Sequence, residues 1–253
     1  MQKCFFFVLF LNDYPKCLKY SNVTIYADDI SQDVTDKSVD IIETKLICDF
    51  KSSMNWMNEN KLTMNLKKTQ CMLVRTKQRL SKCRKINIRI ENVILETVEV
   101  SKLLGVNIDC CLTWSNHLEI LANNISKKLG VLKRLKPLMS GDALLTVSSC
   151  IIFPHFNYCN TVWSGAKNSS NIDRLLKLQK KAGRIILNVS EITTPSSILF
   201  QNFKWMPIND YFVYRKCFLT YKANEMRENT SLENFKTKYL MNISIEIYSL
   251  SIV

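Results

Sequence analysis

Hydrophobic periodicity changes character once along this chain, near residue 115, and that change constrains the fold more than any other feature. Before it, apolar residues come in short alternating runs. Ile86, Ile88 and Ile90, followed by Val93 to Val100, read as a β-hairpin turned at Glu91 and Asn92, and residues 63 to 75 read as a further strand. One helix interrupts them: Val39, Ile42, Leu46, Phe50, Met54 and Met57 recur at steps of three and four, which predicts a helix over about 37–59 capped by Asp36 or Ser38. After Trp114 the period becomes helical. Leu118 to Leu135 ends at Pro137, Asp142 to Ile152 ends at Pro154, and Asn171 to Leu187 forms a third helix. The expected class is α+β, with a small mixed sheet and packed helix over residues 1–112, a mainly helical region over 113–225, and an irregular tail over 226–253.

The first strand ends in chemistry. In Val23-Thr24-Ile25-Tyr26-Ala27-Asp28-Asp29, alternation sets Val23 and Ile25 on one face and Thr24 and Tyr26 on the other, and the strand then runs into two adjacent carboxylates with no basic neighbour. Successive side chains on an extended backbone face opposite ways, so one acid, Asp28, is expected to project into a shared site. Two negative charges held together repel, and a hard cation such as Mg²⁺, which takes carboxylate and phosphate oxygens, relieves the repulsion. The alternative is a plain exposed turn with both charges solvated.

The formal net charge of +13 favours a polyanionic partner, nucleic acid before anionic membrane. Lys61 to Arg89 holds ten Lys or Arg and no acid, while Leu121 to Gly141 and Arg174 to Ser190 hold five each and no acid. In the third helix Leu175, Leu178, Ala182 and Ile185 are the expected buried stripe, with Arg174, Lys177, Lys181 and Arg184 toward solvent, where they suit a phosphate backbone or simply form a solvated face. Ten cysteines without a C-x-x-C pair, and no His/Cys cluster at zinc spacing, point to reduced, mostly buried thiols in an intracellular protein, nuclear or cytoplasmic. The apolar run Phe5 to Leu11 is short and lacks a small-residue cleavage site, so it reads as a buried element end. No run of about 20 apolar residues would cross a bilayer, so no membrane partner is expected.

Several of these strings, in order, resemble the reverse transcriptases of non-LTR, LINE-type retrotransposons, especially the Jockey-like group. Phe10-Leu11-Asn12-Asp13-Tyr14-Pro15 resembles the family's INDLP, and Tyr26-Ala27-Asp28-Asp29 its YADD hairpin. Leu62 to Thr69 is similar to L.LN..KT, and Leu104 to Asp109 with Leu112, Thr113, Trp114 and His117 is similar to LGV.ID..LTW..H. Farther on, Arg174 to Ile186 resembles L..LQ..A.R.I and Trp205-Met206-Pro207 resembles W.P, so the resemblance spans about residues 10 to 222. Four residues after that proline, where the family usually has arginine, this chain has Tyr211.

The resemblance implies a partial polymerase palm followed by a thumb-like helical region, and an RNA-directed DNA polymerase acting on an RNA template, a DNA primer or hybrid, and dNTPs. It makes Asp28 and Asp29 catalytic metal ligands for Mg²⁺, in a centre where two ions about 4 Å apart serve nucleotidyl transfer. Lys68 would lie near the incoming triphosphate, the alternative being an ordinary surface lysine. The hairpin around Gly105 would hold the primer end, a simple turn glycine being the alternative. Lys67, Arg75, Lys133, Arg134, Lys177, Lys181 and Arg184 would contact nucleic acid. For His117 a contact at the helix start is expected, and Tyr26, Trp114 and Trp163 read as base-stacking or core residues. In the family a second metal-binding Asp lies on a strand well upstream of YADD. About 27 residues precede Asp28 here, so the expectation is a truncated copy, inactive alone, with a non-catalytic nucleic-acid-binding remnant and a helical interaction module as alternatives.

Overall fold

A computed structural model describes residues 9–80, 86–90, 93–165, 169–189, 195–228 and 250–252. The protein is a mixed α+β chain of two compact units, one comprising residues up to Leu112 together with the C-terminal strand, the other beginning at Thr113. No described helix is long and apolar enough to cross a membrane.

Unit 1 begins with a 3-10 helix, Leu11–Cys17, and a hairpin of β1 (Asn22–Tyr26) and β2 (Asp29–Asp33). Helix α1 (Val39–Glu59) follows, with Val39, Ile42, Leu46, Phe50 and Met57 buried as their spacing requires. Each such apolar side chain contributes roughly 1.5–3 kcal/mol on burial. Ser38 stands at the helix start but its side chain caps nothing, and Asp36 instead pairs with Lys45 at 2.6 Å. That ion pair holds the Asp36 carboxyl below its ordinary pKa.

Two polar residues break the apolar face of α1, and both anchor other elements. The buried Asp49 carboxylate accepts the backbone N–H groups of Lys19 (2.9 Å), Tyr20 (2.8 Å) and Ser21 (2.6 Å), the residues leading into β1. Ser53 accepts from Tyr14 Oη at 3.0 Å and from Gln32 Nε2 at 2.7 Å, tying the 3-10 helix, β2 and α1 together. Burial drives the Tyr14 hydroxyl pKa up to about 12 despite its bond to Ser53.

The expected strand over 63–75 shrinks to β3 (Gln70–Cys71). The Asn65 carbonyl accepts the N–H of Lys68 (3.0 Å), the N–H of Thr69 (3.1 Å) and the Thr69 hydroxyl (3.0 Å), closing a turn where a ladder would need open carbonyls. Next come β4 (Arg89–Ile90) and β5 (Val93–Ile94), paired antiparallel with Ile90 opposite Val93. Their turn residues, 91 and 92, lie outside the described residues. Then follow β6 (Glu96–Thr97), β7 (Val100–Leu103) and β8 (Val106–Asp109). The β7–β8 hairpin turns on Leu104 and Gly105, at φ 46° and 83°, the double positive φ of a type I′ turn.

The main sheet has the order β1-β2-β9-β3-β6, where β9 is Leu250–Ile252. The expectation of an irregular tail from residue 226 therefore fails at these three residues, whose backbone groups pair β2 on one side and β3 on the other. Residues 226–228 complete a helix, and 229–249 lie outside the described residues.

Unit 2 is helical: α2 (Ser115–Leu135), α3 (Gly141–Ile151), α4 (Phe153–Asn157), α5 (Asn160–Trp163), α6 (Ser169–Leu187), α7 (Ser196–Phe203) and α8 (Ile208–Glu228). Its core gathers Leu118, Ile125, Leu132, Phe156, Trp163, Leu175, Ala182 and Phe212. Ser140 caps α3 by accepting the Ala143 N–H. On α6 the buried line runs through Leu175, Gln179, Ala182 and Ile186, rotated from the expected one, with Leu178 and Ile185 only half-buried.

The described cysteines are free, but only Cys71 is buried, whereas Cys48, Cys150 and Cys217 are exposed. These three lie in α1, α3 and α8 on the sides turned from the core, which corrects the expectation of mostly buried thiols.

Candidate functional site

The acidic hairpin is a two-residue turn, Ala27-Asp28, between the facing residues Tyr26 and Asp29. Ala27 takes φ 52°, the left-handed value that the first position of a primed hairpin turn demands and that an L-residue adopts at a cost of about 1–2 kcal/mol. Asp28 stands exposed at the tip, while Asp29 is half-buried as the first residue of β2. Val23 and Ile25 pack on the core, and Ile30 and Gln32 opposite them are buried, so Asp29 shares the outer sheet face with Tyr26, Thr24 and Ser31. Neither acid joins an ion pair or side-chain hydrogen bond among the described residues.

Lys68 reaches the same end of the sheet. Ser31, Ser251 and Gln70 form one row across β2, β9 and β3, and β9 runs antiparallel to both neighbours, so β2 and β3 run the same way. Two residues back from Ser31 is Asp29, and two back from Gln70 is Lys68. Lys68 lies in the turn that leads into β3, so both residues stand toward the start of these two parallel strands. Lys67 and Lys68 are both exposed.

Arg75 departs from the expected nucleic-acid surface. Its N–H donates to the Cys110 carbonyl at 2.9 Å, binding this segment to the end of β8, and its Nε and Nη2 are withdrawn from solvent. Gly105 sits exposed at the tip of the β7–β8 hairpin.

The remaining basic residues belong to unit 2. Lys133 and Arg134 are exposed in the last turn of α2, where cations also complement the helix dipole. Lys177 and Lys181 are exposed on α6, and Arg174 Nη2 donates to Asn123 Oδ1 at 2.8 Å, pinning α6 to α2. Arg184 is half-buried with its Nε shut off from water, although it lies seven residues on from the exposed Lys177 and so on the same side of α6.

His117 is buried against Trp163, ring centroids 5.8 Å apart, and burial lowers its pKa. Trp163 is fully buried and donates Nε1–H to the Tyr158 carbonyl at 2.9 Å, so it is a core residue. Tyr26 is exposed and Trp114 half-buried.

Among the described residues no three of His, Cys, Asp and Glu come together as a metal-binding group. Asp28 and Asp29 thus stand as a pair of carboxylates, too few for an all-protein cation cage. Sequence reasoning passed over Asp49 and Gln179, each a polar residue at a position the apolar spacing assigns to the core. The chain matches no protein-family model, no curated protein and no solved structure.

Proposed function

We propose that this chain is part of an RNA-directed DNA polymerase of the retrotransposon type, with unit 1 as a partial palm and unit 2 as a thumb-like region. One observation carries the reading: two adjacent carboxylates without cationic partners among the described residues lie at the same end of a sheet as Lys68, which belongs to the segment Lys61 to Arg89 with ten basic residues and no acid.

Asp28 and Asp29 would hold Mg²⁺, whose role when bound is to shield their charges and bind substrate phosphate. Lys68, across the sheet end, donates to phosphate oxygens and offsets their charge. Lys67, Lys133, Arg134, Lys177 and Lys181 contact the backbone of a primer–template duplex, and the Gly105 turn brings main chain close to the primer end. Since the described carboxylates make a pair and not a three-ligand group, the chain by itself is expected to bind nucleic acid without extending a primer.

Purified protein with Mg²⁺ and dNTPs on a primed RNA template, beside Asp28→Ala, tests this. No extension, together with hybrid binding that weakens steeply as salt rises, supports the reading. Extension abolished by Asp28→Ala would refute the incompleteness, and absence of salt-dependent binding would refute the polymerase reading. The exposed cations of unit 2 also suit a second reading, a nucleic-acid-binding protein without catalysis, for which Asp28→Ala leaves hybrid affinity unchanged with or without Mg²⁺.

A further inference from the structure

Unit 2 holds a cavity of about 280 Å³, distant in sequence from the acidic hairpin and lined by Phe153, Asn157, Gln179, Lys204, Trp205 and Tyr211 among others. We infer that it receives one unstacked base of a single-stranded nucleic acid, with Lys204 meeting the adjoining phosphate. The inference rests on the nucleic-acid-binding reading above and gives it a specific seat.

The size comes first. About 280 Å³ lies at the floor of the range for small-ligand sites, room for one ring system and little more. The walls are aromatic and held in place. Trp205 meets Phe153 edge to face at 4.7 Å and lies 4.7 Å from Phe203. Gln179, 3% exposed, spends both ends of its amide on the cavity wall: Nε2 donates to the Met206 carbonyl at 2.9 Å, and Oε1 accepts the Ile208 N–H at 2.9 Å. The site is therefore formed before any ligand arrives.

The rim is polar and carries positive charge. The Asn157 amide and the Tyr211 hydroxyl have no hydrogen-bond partner among the described residues, which leaves donors and an acceptor for a base edge. No acid lines the cavity, and Lys204 is its one charged lining residue. Lys204 follows α7 in the left-handed conformation at φ 51°, a position that glycine or asparagine ordinarily fills. A lysine there keeps a cation at the mouth at the expense of backbone strain. An aromatic slot with a cationic lip is the chemistry of base stacking beside phosphate contact.

The test measures binding of the full chain to a labelled oligouridylate and to an abasic strand of equal length and charge. The base-bearing strand should bind about tenfold tighter, the value of one stacked base. Trp205→Ala should erase that preference, and Asn157→Ala, at an exposed position without a hydrogen bond to lose, should reduce it several-fold. Lys204→Gly should reduce the salt dependence of binding by about one charge. Equal affinity for both strands, or a preference that survives Trp205→Ala and Asn157→Ala, overturns the base seat while leaving nucleic-acid binding in place. No binding of either strand or of an RNA–DNA hybrid overturns both.

Discussion

Replacing Asp49 should loosen the whole approach to the acidic hairpin, because one buried carboxylate holds three consecutive backbone N–H groups ahead of β1. Oδ1 accepts from Lys19, and Oδ2 accepts from Tyr20 and Ser21. In Asp49→Asn the single oxygen can keep the Tyr20 and Ser21 bonds in neutral form, while the new NH₂ group confronts the Lys19 N–H. One charge-assisted bond is lost, worth about 1.5–3 kcal/mol, and the other two weaken by about half. Relief of carboxylate desolvation offsets part of this, leaving a cost of about 2 kcal/mol. Asp49→Ala forfeits all three bonds and should cost about 4 kcal/mol, less than the plain sum because Lys19 and Tyr20 are exposed enough for water to reach their N–H groups. Hydrogen exchange read by mass spectrometry follows the two units separately. Protection should fall in α1 and in peptides covering 19–33 while α2 and α6 keep theirs. An Asp49→Asn protein within about 0.5 kcal/mol of the parent would refute the reasoning, since the charge would then contribute nothing beyond its shape.

Other substitutions probe the fold in the opposite direction. Ala27→Gly should stabilise unit 1 by about 1 kcal/mol in urea denaturation by relieving the left-handed strain of the hairpin turn. Gly130→Ala should stabilise unit 2 by about 1 kcal/mol, read as a rise in Tm, because Gly130 is inside α2 and an added Cβ meets nothing within 4 Å. Burial lowers the pKa of both histidines, with Lys128 acting further on His155, so the unfolded chain binds protons more readily around pH 6. Unit 2 stability should therefore be full above about pH 6.5 and decline as pH falls below it, and His117→Gln should shallow that decline in thermal melts run across the window.

The long helix α1 was legible because six apolar residues at steps of three and four leave no other regular structure that buries them together. The hairpin at Tyr26 to Asp29 was legible from alternation stopping at polar turn residues, whereas the left-handed Ala27 was not, since glycine or asparagine would have marked it. Residues 63 to 75 misled because the local bonds of Asn65 compete with a strand and because burial from Cys71 to Val74 is continuous, not alternating. The α6 face was misjudged by its treatment of Gln179. Four residues after Leu175 and three before Ala182, it holds a core position, but a pattern drawn from apolar residues alone shifts to Leu178. Asp49, between Leu46 and Phe50, carried the same signal: a polar residue at a core spacing implies a backbone partner to be found. That β9 would join the sheet had no local sign, because its partners are more than 170 residues away.

The position of β9 sets an order of events in synthesis. β2 and β3 do not pair with each other, and the strand that joins them is drawn from Leu250–Ile252. A nascent chain that has released the rest of unit 1 must wait for roughly 140 further residues, on the order of ten seconds or more at usual elongation rates, before the sheet can close. During that interval both inner strand edges stay open to any passing extended chain, while unit 2 can complete its helices on the ribosome. Unit 1, whose first strands are made before unit 2, is thus finished after it, and its exposure to mispairing is greatest until β9 has emerged.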